Sequence, residues 1–181
     1  MKPAVTFLTS SELQQALGNP LSDEEEEELR QFRNRVMESF GNLEEALEEM
    51  EELYGRGWKT FDASIWLFRG NQESISSPIL IREEGIEEVV FETFRMLAKR
   101  MIRDDPPDSE LIEEGYAKLD AVSALLASEA LERVMDGSGY EELMDEVKPD
   151  ADELKTWRKV EEIEEDWDPE SEPLYEWLEG R

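Results

Sequence analysis

Carboxylates are the first residues of this chain whose spacing suggests chemistry. Glu44, Glu45, Glu48 and Glu49 recur at intervals of three and four, which aligns them along one side of a helix, where neighbouring acids could meet a cation. A calcium site takes its ligands from a tight loop, and a straight helix offers none. In a chain of 181 residues with 48 Asp and Glu, a carboxylate pair says little about acid–base catalysis. The chain has no cysteine and no histidine, so it lacks thiolate ligands, cysteine nucleophiles and the commonest general base. No Ser-His-Asp or Cys-His arrangement can be assembled. Gly55-Arg56-Gly57 lacks the flanking pattern of a nucleotide fingerprint. The expectation is a protein without catalytic residues, metal ligands or cofactor.

The other charged cluster is basic. Arg95, Lys99, Arg100 and Arg103 close the most apolar helical stretch. Cations in a last helical turn suit the helix dipole, and they could also meet an acidic neighbouring subunit or a phosphate. Against this cluster stands a net charge of −29, which repels nucleic-acid phosphates and anionic membranes. Such acidity fits a salty cytoplasm, where the Debye length falls to about 3 Å at 1 M. It also fits a surface that DNA passes without adhering, or an acidic mimic of DNA. Hydrophobic residues at 39% and five tryptophans provide enough apolar material for a folded domain. No run has the length or flanks of a signal peptide or a membrane span, so a soluble, intracellular protein is expected.

The elements that position these charges follow from periodicity. Residues 86–102, IEEVVFETFRMLAKRMI, place Ile86, Val90, Phe94, Leu97 and Met101 on one stripe and predict a central buried helix. At the amino end, Thr9 with Glu12 and Ser22 with Glu25 have capping-box spacing, predicting a short helix stopped by Gly18 and Pro20 and then a longer one. Its stripe continues to Tyr54, with Gly41-Asn42 as a bend or a new start. From Phe61, residues 61–69 (FDASIWLFR) alternate with both faces largely apolar, Trp66 and Phe68 among them, Gly70-Asn71 supplies a turn signal, and 75–82 can return as a second strand with Pro78 at an edge or start. Two strands are marginal alone; this hairpin must lie on the helices or pair with another copy. Ser109 starts a further helix ended by Gly137, and Ser138, Pro149 and Asp150 punctuate short acidic helices beyond. In the tail, Leu174, Trp177 and Leu178 at one-turn spacing read either as a helix that docks in a partner's groove or as one folded onto its own core.

The fold class expected is mainly α: a helical bundle with one inserted β-hairpin and a short helical acidic C-terminal extension. The division places a core in 1–136, with the hairpin at about 60–82, and the extension in 137–181. Candidate interaction residues are Trp66, Phe68, Arg95, Lys99, Arg100, Leu174, Trp177 and Leu178.

The stretches Leu8-Thr9-Ser10-Ser11-Glu12-Leu13 and Leu17-Gly18-Asn19-Pro20-Leu21-Ser22-Asp23-Glu24-Glu25, the helix ending at Tyr54-Gly55-Arg56 and the block 86–103 together resemble the head-to-tail adaptor (connector) proteins of tailed viruses. In that family a small opening helix and a capped longer one lead through an extended segment to a further core helix. The segment 41–54 is longer here, and the residues after Gly137 have no counterpart. The resemblance implies a homo-oligomeric ring in the virion neck, assembled in the host cytoplasm, joining portal and tail proteins around a channel that DNA traverses without specific binding. The alternative from composition is an acidic interaction or regulatory protein of a halophile, possibly acting as a DNA mimic.

Overall fold

The computed structural model describes residues 2–113, 116–147, 154–179 and 181. A strand opens the chain: β1 (Ala4–Leu8) is followed by α1 (Ser11–Ala16), α2 (Asp23–Ser39) and α3 (Leu43–Tyr54). Then come β2 (Asp62–Phe68), β3 (Ile75–Ser76), β4 (Ile79–Arg82) and α4 (Ile86–Asp104). The remainder is helical: α5 (Glu110–Glu113), α6 (Tyr116–Val134), α7 (Gly137–Glu146), α8 (Leu154–Glu164) and α9 (Leu174–Leu178).

The capping chemistry accounts for several of these boundaries. Ser22 and Glu25 form the reciprocal capping box at α2, and acids fill its first turn where the helix dipole favours them. At α1 the cap is Ser10, not Thr9: its hydroxyl accepts from the Leu13 N–H at 3.2 Å. Gly41-Asn42 separates two helices, and Asn42 donates its amide to the Val134 carbonyl instead of capping α3. Gly55 ends α3 with φ of +77°, a conformation open to glycine. Gly137 does not terminate a helix. It begins α7, because the Asp136 carboxylate takes the Gly139 N–H at 2.8 Å and so replaces the start expected at Ser138. The break expected at Pro149 and the cap at Asp150 lie outside the described residues.

A helical bundle with one inserted hairpin is not what forms. Helix dominates at 59%, but beside it stands a four-stranded mixed sheet in the order β1-β2-β4-β3. β1 pairs with β2 and β2 with β4 in parallel, and β3 with β4 antiparallel. Two features account for the difference. Ala4–Leu8 is only five residues long, too short for its pattern to mark a strand alone, yet it pairs with β2 along its whole length, and Phe7 is buried. The chain also reverses twice, first at the bend that contains Gly70-Asn71 and again at Ser77-Pro78, a cis peptide. The hairpin is therefore β3 with β4, and β4 runs back alongside β2 in the same direction.

Alternation along β2 sends Ala63, Ile65 and Leu67 inward. Helices α2 and α4 pack on that side of the sheet, α6 lies against both α4 and α3, and α8 against α6. This sandwiching explains why α4 is buried on most of its circumference, with Val89, Phe94, Leu97 and Ile102 all inaccessible. Nor do the described residues after 137 form an extension: Leu143, Val160, Ile163, Trp167, Leu174, Trp177 and Leu178 belong to the same hydrophobic cluster as α4 and α6.

Candidate interaction surface

The basic residues at the end of α4 do not make a cationic patch. Arg95 is held by Glu92 at 2.6 Å within its own helix, and with Lys99 it faces Asp120 on α6. Lys99 is itself buried, which requires that partner. Arg100 donates to Asp104 at 3.0 Å and to the Ser77 hydroxyl at 3.2 Å. Arg103 donates to Ser76 at 2.6 Å. The cluster thus joins α4 to α6 and to the β3–β4 turn. The carboxylate row on α3 is divided in the same way, Glu48 bonding Lys2 at 2.5 Å and Glu49 lying 3.4 Å from Arg133. Among the described residues no group of three Asp or Glu is placed to hold a metal ion. No described helix is long and apolar enough to cross a membrane.

The tail residues are likewise committed. Leu174 and Leu178 are fully buried and Trp177 nearly so, its indole N–H donating to the Asp166 carbonyl at 3.2 Å. Of the two readings of the tail, packing on its own core is the one observed. Phe68 is fully buried too.

Trp66 differs. It is only half-buried and lies on the sheet face opposite α2 and α4, in register with Leu8 and Leu80. Ala4, Thr6, Asp62 and Ser64 on the same face are exposed. Next to it, where β2 begins, is a cleft of about 160 Å³. Its buried lining includes Trp58, Ile79 and Leu97, and it is completed by Trp66, Arg100 and Asp62. The structure thus joins two of the sequence candidates, Trp66 and Arg100, at one concavity, and separates them from the rest.

Hydrogen bonds fix this corner. The Trp58 indole donates to the Leu47 carbonyl at 3.1 Å, Thr60 bonds Asp104, and the Tyr54 hydroxyl donates to the Asp105 carbonyl at 2.6 Å. The loop between α3 and β2 is thereby tied to the body of α3 and to the end of α4, and α3 itself is tied to the end of α4. Asp62 and Trp58 escaped the sequence reading. The available signal was that Asp62, Ser64 and Trp66 share one parity, so the partly polar face of β2 carries a tryptophan.

Burial, with Asp105 and Tyr175 adding to it and Arg56 opposing, pushes the Tyr54 hydroxyl at this corner well above its ordinary range. Burial pushes the Glu129 carboxyl above its ordinary range, nearby Glu132 and Glu164 push it further, and Arg133 opposes them. Burial also raises the Tyr140 hydroxyl, which shares a 2.6 Å hydrogen bond with Ser128.

No protein-family model, curated protein or solved structure matches this chain.

Proposed function

We propose that the protein acts by binding, not by catalysis, and that its partner presents a positively charged surface. The supporting observation is how its charges are spent. Cations are engaged by its own acids: Lys2 by Glu48, Arg69 by Glu28 and Glu83, Lys99 by Asp120, Arg133 by Glu49 and Glu170. Even if each of the 19 basic residues neutralised one acid, 48 − 19 = 29 would remain. Exposed acids run along α2, α3 and α8, among them Glu24, Glu27, Glu45, Glu52, Glu161 and Glu162. A field of that sign steers cationic partners and rejects anionic ones. The test is displacement: added to duplex DNA condensed with poly-L-lysine, the protein should take the polycation and release the DNA. Retention of the DNA at every protein concentration would count against this reading.

A second reading makes DNA the thing the acidic surface faces: the ring-forming head-to-tail adaptor of a tailed virus, set in the neck between portal and tail proteins. The observation that favours it is that β1 is an edge strand, which a neighbouring subunit could extend. Sedimentation velocity separates the two readings. The adaptor sediments as a closed ring, visible by electron microscopy, whereas the binding module remains a monomer or dimer until a cationic partner is added.

A further inference from the structure

We infer that the cleft at the start of β2 receives an arginine side chain of the cationic partner; this rests on the binding reading above. Size is the first consideration. At about 160 Å³ the cleft falls below the roughly 300–1,000 Å³ of pockets that enclose a whole small-molecule ligand, and suits one long side chain. Charge is the second. Two charged groups line it, and one is already engaged: Arg100 is bound to Asp104 and Ser77. Asp62 is exposed and has no ion pair among the described residues. The charge left open to an occupant is therefore negative. The third consideration is the lining. Buried Ile79 and Leu97 offer apolar contact to an aliphatic stem, and half-buried Trp66 offers a ring face to a planar cation. A guanidinium stacks on an aromatic face and grips a carboxylate with paired donors, which a compact, strongly hydrated ammonium does less well. The chain already uses this chemistry internally, with Arg56 4.1 Å from the Tyr175 ring centroid and Arg181 4.3 Å from that of Trp177.

The experiment uses the full chain and three peptides, acetyl-Gly-Ser-Xaa-Ser-Gly-amide with Xaa as Arg, Lys or Leu. Binding is followed by the Trp66 indole resonance and by tryptophan fluorescence. The Arg peptide should bind about fivefold tighter than the Lys peptide, the scale of a cation–π contact at a partly exposed site. Asp62→Asn, on the exposed rim, should abolish that preference, and Trp66→Phe should weaken Arg binding while both variants melt as wild type does. Equal affinity for Arg and Lys, no effect of Asp62→Asn, or Leu binding as well as Arg would each overturn the arginine assignment. Poly-L-lysine distinguishes the levels. If the assignment fails while poly-L-lysine still binds, the binding reading survives; if poly-L-lysine does not bind either, both fall.

Discussion

Trp177 shows how residue identity and residue role separate. Its spacing with Leu174 and Leu178 is that of a docking helix, but here the helix docks on its own chain. Trp177→Ala should therefore cost about 3–5 kcal/mol, the range for truncating a buried aromatic, measured by chemical denaturation. A loss under about 1 kcal/mol would contradict the burial of this side chain. Glu129 makes the opposite kind of prediction. Its carboxyl is raised in the folded protein by burial and by Glu132 and Glu164, with Arg133 opposing, so the folded state holds that proton more tightly than the unfolded chain. The associated stability is present at pH values below the ordinary carboxylate range and is lost as pH rises through the raised value. Glu129→Gln should accordingly raise the melting temperature at neutral pH and flatten its fall between mildly acidic and neutral pH. An unchanged pH profile would show that Glu129 titrates normally. Nothing in the sequence distinguishes this glutamate, because the shift comes chiefly from the burial of its side chain in the fold, with Glu132 and Glu164 adding to it.

At the scale of elements, α4 was legible because its stripe is long and unambiguous, and the α2 start because Ser22 and Glu25 satisfy each other locally. β1 was not, since a strand of five residues acquires its identity from a partner more than fifty positions away in the chain. Parallel pairing of β2 with β4 was hidden for the same reason: the turn signal at Gly70-Asn71 does reverse the chain, but a second reversal at Ser77-Pro78 brings β4 back into the direction of β2. The cleft inherits both difficulties, being formed by β2, α4 and the loop that joins α3 to β2. The edge position of β1 can be tested directly. The Ala4 N–H donates to the Phe61 carbonyl at 2.8 Å, and in a parallel ladder alternate residues turn both backbone groups to the same neighbour. Thr6 thus faces β2, and Val5 faces the free edge. Thr6→Pro removes a ladder hydrogen bond and should cost about 1–3 kcal/mol, and Val5→Pro distinctly less. Equal losses in thermal melts would mean that the outer edge of β1 is occupied.

The whole molecule carries −29 charges on a core that runs unbroken from β1 to α9. Self-repulsion on that scale is screened as the Debye length shrinks from about 30 Å at 0.01 M to about 3 Å at 1 M. The melting temperature should therefore climb with potassium chloride over that range; a flat curve would remove the physical basis for adaptation to salt. The same field governs association, with the opposite dependence, because screening weakens attraction to a cationic partner as it relieves internal repulsion. Stability and binding should thus move in opposite directions with salt.

Calorimetric titration of the full chain with poly-L-lysine, repeated from about 0.02 to 0.5 M potassium chloride, tests the central claim most directly. A saturable complex at low salt, weakening steeply and continuously as salt is added while the protein stays folded, is the predicted result. Absence of a complex at the lowest salt, or an affinity indifferent to salt, would contradict a function built on this acidic surface.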